Sequence, residues 1–405
     1  MNITIDKSFI GTEKNLLLSL QNENVSYSWT DSKEYFHLKD ENSTFNKLLA
    51  VISEDLSSIL PPQKYIRMMN TFGLQDEIIP WGNILSDKDK KEYNKKIITH
   101  ISNIIKNINQ NNLNYFNNIL KSREESLNTL TKYYLDEPEV EKILSTETNK
   151  SINSTIKAFY ESNDRIVKYD NFGSKTGRLT IKNNLNILTL KKEYRKIFKS
   201  SFGENGSLIS IDFSSLELRL LLLEAERYIK NIDIYQKISD SLKGILDREQ
   251  VKKLLISFIY GASNEKLASI CEADINLINK IVDSLKRNLN IDNLLNKIKS
   301  NIKNNKIENK FGRLIKLDNE FNDDGLILNY YIQSLGADFS LITFYDFIKS
   351  TNIEIKPVFF IHDSLIFDIE NKNIEYLNSI QHLHSSLYNI DFPVKLSYFS
   401  SGIKI

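Results

Sequence analysis

Two apolar runs, Val358-Phe359-Phe360-Ile361 and Leu365-Ile366-Phe367-Asp368-Ile369, are separated only by His362-Asp363-Ser364. Short apolar runs bounded by turn residues predict two strands joined by a tight hairpin. A third run, Leu208-Ile209-Ser210-Ile211, predicts a short buried strand that ends at Asp212. Two strand tips therefore each carry an aspartate. Such tips hold a carboxylate rigidly while its oxygens face a cleft.

Around these strands the chain reads as helical. Among 405 residues there are 13 glycines and 6 prolines, too few for a turn-rich all-β fold. The length allows two or three domains with a sizeable core. Residues 1–90 are mixed and poorly periodic, with Pro61-Pro62 and Pro80-Trp81-Gly82 predicting loops. From residue 91 to about 157, Ile97, Ile98, Ile101, Ile104, Ile105 and Ile108 recur at helical spacing and predict a helical hairpin with a buried stripe. Glu137-Pro138 marks a break in it. Asn171-Phe172-Gly173-Ser174 reads as a loop. After Asp212, Ser214 or Ser215 could cap a helix over 216–229, and residues 236–310 read as further helices. There is no internal repeat.

Composition excludes several classes. With 53 basic and 52 acidic residues the net charge is +1, so no strongly basic nucleic-acid binder is announced by the total. A local basic groove balanced by acids elsewhere stays open. The single cysteine, Cys271, excludes an internal disulfide and a multi-cysteine zinc site, and the five histidines are scattered. No apolar run approaches the roughly 18 residues of a membrane helix. The N-terminal residues lack a basic flank and an apolar stretch, against a secretory leader.

Two carboxylates on adjacent strands repel one another unless a cation lies between them. Oxygen-only ligands suit Mg²⁺, with Mn²⁺ as a substitute. Two such ions could clamp the attacking and leaving oxygens of a phosphoryl transfer. Ordinary turn aspartates are the other reading. A third element bears on the choice. Arg248, Lys252, Ile256 and Tyr260 recur every four residues, and Gly261 follows. Each four-residue step rotates a helix by about 40°, so the four share one face. Two cations, an apolar residue and an aromatic would suit a nucleoside triphosphate. The solvated face of an amphipathic helix, with Val251, Leu254, Leu255 and Phe258 on its buried side, fits equally well.

Five blocks in order over about residues 170–370 resemble the family A DNA polymerases, the group of bacterial DNA polymerase I. Asp212-Phe213-Ser214-Ser215-Leu216-Glu217-Leu218-Arg219 resembles the first catalytic motif. Arg248 to Gly261 resembles the fingers-helix motif, and His362-Asp363 the second carboxylate motif. Thr176-Gly177-Arg178-Leu179 resembles the segment upstream of the palm. Asn329-x₃-Gln333 with Ala337-Asp338 resembles a late palm helix.

The resemblance implies an α+β right-hand fold with a helical thumb and fingers and an antiparallel palm sheet. Its divisions would be an N-terminal extension over 1–90, a thumb over 91–165, a palm over 166–235 and 329–405, and fingers over 236–328. It implies that Asp212 and Asp363 hold two Mg²⁺ ions. Arg248 and Lys252 would contact the incoming triphosphate, and Lys252 would donate a proton to pyrophosphate. Ile256 and Tyr260 would lie near the nascent pair, and Glu217 would block the sugar 2′ position. Arg178, Asn329 and Gln333 would touch the primer–template minor groove, and His362 the primer end. Primer–template DNA and dNTPs are the implied partners, in a bacterial or phage-infected cytoplasm, with no membrane.

The sequence departs from the family pattern in places. Ser364 stands where DNA-polymerizing members usually have Glu, and His-Asp-Ser is the pattern of phage-type RNA polymerases. Ile256 occupies a usually aromatic position, Ser257 a usual Gly, and only 36 residues separate Asp212 from Arg248. No Asp-x-Glu occurs in the first 200 residues, which predicts neither proofreading nor a 5′ nuclease. Lys297, Lys299, Lys303, Lys306, Lys310, Arg313 and Lys316, opposed by Glu308 and Asp318, form a basic stretch. Its Phe311-Gly312-Arg313 resembles a fingers segment, which favours Arg313 as a DNA contact over a solvated helix. Leu185, Ile187, Leu188 and Leu190 beside Lys191, Lys192, Arg195 and Lys196 read as packing with a basic edge. The rival functions are an RNA polymerase or primase-like enzyme, which Ser364 favours and Glu217 opposes, and a non-catalytic nucleic-acid-binding protein that keeps the fold.

Overall fold

A computed structural model of the chain describes residues 1–22, 24–39, 43–56, 59–73, 81–228, 233–317 and 323–404. The chain divides into two units, residues 1–117 with 311–314, and residues 118–310 with 315–405. Among the described residues, no helix is long and apolar enough to cross a membrane.

The first unit contains a four-stranded sheet built from β1 (Asn2–Ile5), β2 (Asn15–Gln21), β3 (Asn24–Thr30) and β4 (Phe36–Leu38), in the order β3-β2-β1-β4. Ile3, Ile5, Leu16 and Leu18 point into its core. Helix α1 (Thr44–Val51) adds Phe45, Leu48, Leu49 and Val51. Helix α2 (Asp87–Asn107) is capped by Ser86, whose hydroxyl accepts from the Asp89 amide. Ile97, Ile101, Ile104 and Ile105 form its buried stripe, while Ile98 and Ile108 are half-buried. This unit thus runs past residue 90 to Asn117. The sequence gives little sign of the ordered sheet within residues 1–90, because β1 and β4 are only 4 and 3 residues long and β3 is largely exposed. Trp81–Ile84 is a helical turn rather than a loop, and Pro80 lies outside the described residues.

The second unit opens with helix α3 (Lys121–Asn128). Glu137-Pro138 begins a new helix, Glu137–Thr146, as an N-terminal proline can. Strand β5 (Gly206–Phe213) runs directly into the turn before helix α4 (Leu216–Glu224). Helices α5 (Ile234–Ser241), α6 (Arg248–Ile259), α7 (Asn264–Cys271), α8 (Ile275–Asn288) and α9 (Ile291–Ser300) follow. A strand, Lys306–Glu308, ends this stretch where a helix was expected. Helix α10 (Asp324–Ser350) spans 27 residues. Then come β6 (Lys356–Ile361), β7 (Ser364–Glu370), β8 (His382–Ser385) and β9 (Ile390–Tyr398).

The sheet of this unit is antiparallel, in the order β6-β7-β5-β9-β8. β6 and β7 form the expected hairpin, and nearly all their residues are buried, as their largely apolar character requires; the buried Asp368 of β7 is satisfied by the Ser200 hydroxyl at 2.5 Å. α10 contributes to the same core. Phe213 stacks on Phe344 at 4.8 Å between ring centres, and Phe339 lies 4.3 Å from Phe392. The mixture of an antiparallel sheet and many helices is α+β.

Three sequence expectations need correction. Neither Ser214 nor Ser215 caps α4 through its side chain. Ser215 occupies the N-cap in a left-handed conformation, φ 59°, so its side chain makes no capping bond. α4 ends at Glu224, and Ile229 lies outside the described residues. In the basic stretch Lys297, Lys303 and Lys316 are exposed, but the others do not form one solvated row. Lys299 pairs with Asp324 and Lys310 with Glu224 at 3.2 Å, while Lys306 is buried. Arg313 is only 2% exposed, inside the first unit, where Nη1 donates to the Tyr115 hydroxyl at 3.2 Å. That burial leaves Arg313 no surface to offer DNA. Asp318 lies outside the described residues. The Leu185 segment does pack as read, with Leu185, Ile187 and Leu190 buried and Arg195 over the Phe399 ring.

Candidate active site

The β6–β7 turn and the end of β5 are neighbours because Ser364 pairs with Asp212 in the sheet register. This brings Asp363, in the turn, beside Asp212. Both line a cleft of about 490 Å³. The Ser364 hydroxyl donates to Asp212 Oδ1 at 2.8 Å. Burial first, and then the Asp212 charge, push Asp363 up to about 7. Burial raises Asp212 too, opposed by the Ser364 hydrogen bond and by the charges of Lys395, Lys192 and His362. His362 turns the hairpin with φ 54°. Burial, then the cations Arg178 and Arg195, lower its pKa.

Helix α6 forms one wall. Asp247 accepts from the Gln250 amide and the Gln250 side chain returns the bond, a capping box that fixes where the helix begins. Val251, Leu254, Leu255 and Ile259 are buried. The opposite face presents Arg248, Lys252, Ile256 and Tyr260 to the cleft. Ile256 is 37% exposed and Tyr260 41%. Arg248 Nε donates to Asp233 Oδ2 at 2.8 Å, and its guanidinium also pairs with Glu249. Gly261 ends the helix at φ 78°, and a Cβ there would stand 3.2 Å from the Gly325 backbone. Only glycine fits both demands.

The loop over 171–178 forms another edge. A two-residue ladder, Tyr169–Asp170 against Thr180–Ile181, closes it at its base. Arg123 on α3 fixes it from within. Arg123 and Asp338 are both fully buried, and their ion pair measures 2.9 Å. Arg123 also donates to Asn171 Oδ1 at 3.1 Å and to the Gly177 carbonyl at 2.6 Å. Asn309 completes the set, donating to the other Asp338 oxygen at 3.0 Å. The next residue, Arg178, reaches the cleft. It donates to Glu217 on α4 and, at 2.8 Å, to the Tyr260 hydroxyl, which itself donates to Glu217 at 3.2 Å. Arg219, buried on α4, holds the preceding turn by donating to the Ser214 carbonyl at 2.9 Å.

The family model for "DNA polymerase family A" matches residues 82–400, well over half of the chain. The chain belongs to this family. It is also similar to the DNA polymerase I of two Helicobacter pylori strains, 26% identical to each over 314 residues. Those matches cover 69% of this chain and 35% of each relative, so the chain spans about a third of their length.

In this family A chain, the cleft gathers residues that lie far apart in sequence. Asp212, Asp363, Glu217, Arg178, Arg248, Lys252, Ile256, Tyr260, Gln333 and His362 all line it. Asn329 sits one turn before Gln333 on α10, half-buried, and does not line the cleft. Tyr235, Ser340 and Lys395 also line it and were not singled out in the sequence. Lys395 lies directly opposite Asp212 in the register of β9, which no motif marks. Arg123 was missed as well, because Lys121-Ser122-Arg123-Glu124-Glu125 reads as a solvated polar helix.

The donor chemistry fits a hard divalent cation. Two half-buried carboxylates are crowded until one is pushed up to about 7, and a cation between them relieves that repulsion. Among the described residues, no third His, Cys, Asp or Glu joins them as a cage. Mg²⁺ matches this, since it keeps several waters and shares phosphate oxygens rather than demanding an all-protein shell.

Proposed function

We propose that the chain is a template-directed DNA polymerase that adds dNTPs to a primer 3′-hydroxyl. The observation that carries this reading is one cleft holding the Asp212–Asp363 pair together with the Arg248–Lys252 face of α6. In this reading the sheet of β5–β9 is the palm, with its parts at 166–235 and 329–405. The helices over 236–328 are the fingers, and of the span 91–165 the part from residue 118 on, which lies in this same unit, is the thumb. Residues 1–90, which contain no Asp-x-Glu, have no exonuclease role in this reading.

Asp212 and Asp363 would hold two Mg²⁺ ions. When bound, these supply positive charge at the transferring phosphoryl group and lower the pKa of the attacking hydroxyl. The chain's own groups do the rest. Arg248 and Lys252, one turn apart on α6, bind the triphosphate, with Arg248 exchanging Asp233 for phosphate. Lys252 is exposed and can give a proton to the departing pyrophosphate. Glu217, fixed by Arg178 and Tyr260, occupies the space a ribose 2′-hydroxyl would need. Arg178 and Gln333 then face the minor groove of the primer–template, where shape is checked without reading sequence. His362 supports the primer end.

Ser364 favours a second reading, an enzyme that polymerises ribonucleotides. Single-nucleotide addition opposite each of the four template bases separates the two. Addition of the complementary dNTP in preference to the matching rNTP is expected. Preferential rNTP addition would overturn the DNA polymerase reading. Tight DNA binding with no addition of either would replace it with the binding-only one.

A further inference from the structure

Asp212 has two cross-strand neighbours, Ser364 on β7 and Lys395 on β9. Directly opposed residues of antiparallel strands point to the same face of a sheet. Asp212 and Lys395 accordingly both line the cleft. The two neighbours treat the aspartate differently. The bond to Oδ1 comes from the neutral Ser364 hydroxyl. Lys395 is exposed and makes no ion pair among the described residues, although its charge acts on Asp212 from nearby. In the cleft Lys395 shares this availability with Lys252, whereas three other cations of this unit are engaged. Arg178 is held by Glu217 and Tyr260, Arg248 by Asp233 and Glu249, and Lys310 by Glu224. An ammonium beside the catalytic carboxylates, with its own carboxylate partner satisfied by another donor, is a site for an arriving anion.

From this we infer that Lys395 is a third phosphate-binding cation of the cleft, set on the sheet rather than on α6, and contacting a phosphate of the polymerising complex. The inference rests on the polymerase reading and deepens it. Two phosphates have the required chemistry, the triphosphate of the incoming nucleotide and the backbone at the primer end. Lysine serves either as a point charge, so a charge-conserving arginine should substitute where the neutral, isosteric methionine should not.

The test compares the full chain with Lys395→Met and Lys395→Arg, using a dideoxy-terminated primer so that no turnover is required. Binding of Mg²⁺–dNTP to the protein–DNA complex is one arm. Binding of the primer–template alone, titrated against salt, is the other. If the triphosphate is the ligand, Lys395→Met weakens dNTP binding about tenfold, with duplex affinity unchanged, and Lys395→Arg restores it. If the primer phosphate is the ligand, Lys395→Met weakens duplex binding and flattens its salt dependence by about one phosphate contact. Unchanged affinity in both arms, or a loss that Lys395→Arg does not recover, overturns the inference. Failure of the wild type to extend an ordinary primer would count against the polymerase reading alone and leave this binding comparison standing.

Discussion

The Ser364 hydroxyl donates to Asp212 Oδ1 across the β7–β5 pair at 2.8 Å. It stabilises the ionised form of a half-buried carboxylate and commits one oxygen to a fixed direction. Ser364→Ala should therefore leave the hairpin folded but raise the Mg²⁺ concentration needed for half-maximal primer extension, by about three- to tenfold if the bond contributes about 1 kcal/mol. Ser364→Thr keeps a hydroxyl and should stay near wild type. A Mg²⁺ titration decides it, and coincident curves for Ser364→Ala and wild type would show that the bond does not tune the site.

Asp363 sets a pH dependence. Its pKa in the folded, metal-free chain is about 7, against 3.8 for the ordinary group. The folded chain thus keeps a proton that the unfolded chain has released. The associated stability is fully present below 3.8 and is lost as pH rises through about 7. Metal-free protein should lose melting temperature over that interval, and Asp363→Asn should flatten the loss. Because Mg²⁺ requires the ionised carboxylate, the stabilisation by added Mg²⁺ should grow over the same interval. Thermal melts with and without Mg²⁺ test this, and a pH-independent Mg²⁺ shift would contradict it.

The Arg123–Asp338 pair joins α3, α10 and the loop that presents Arg178. Removing one partner leaves a buried charge alone. Arg123→Met should destabilise the protein by about 3–5 kcal/mol, measured by denaturant unfolding. Arg123→Lys keeps the charge but cannot serve Asp338, Asn171 and the Gly177 carbonyl together. It should fold yet bind primer–template more weakly, through a misplaced Arg178. Wild-type DNA affinity in a folded Arg123→Lys protein would show that the loop holds itself.

Glu217 is clamped by two donors, Arg178 and Tyr260. Glu217→Ala opens space at the sugar and frees Arg178. Discrimination between dNTP and rNTP, measured by competing kcat/KM values, should fall by about tenfold or more, which corresponds to about 1.4 kcal/mol. Unchanged sugar preference would place the gate elsewhere.

The sequence made the site more legible than its supports. The strand ahead of Asp212 and the hairpin around Asp363 were readable because short, mostly apolar runs bounded by turn residues allow few alternatives. The cleft-facing stripe of α6 was readable because four-residue spacing fixes a helix face. Arg313 was misread because local charge density says nothing about burial, and its partner Tyr115 is 198 residues away. Lys395 and Arg123 were invisible for a related reason. Each acquires its role from a cross-strand or cross-helix neighbour more than 180 positions distant. The four-stranded sheet of the first unit escaped because its exposed edge strand lacks a clear apolar face.

The most direct test of the account is Mg²⁺-dependent extension of a primer on a defined template by the wild type and by Asp212→Asn and Asp363→Asn. The account predicts templated dNTP addition by the wild type, abolished by chelation and reduced by at least about 10³-fold in each variant, near 4 kcal/mol of transition-state stabilisation. Substantial extension by either variant, or extension that ignores Mg²⁺, would contradict the central claim that Asp212 and Asp363 form a metal-dependent nucleotidyl-transfer centre.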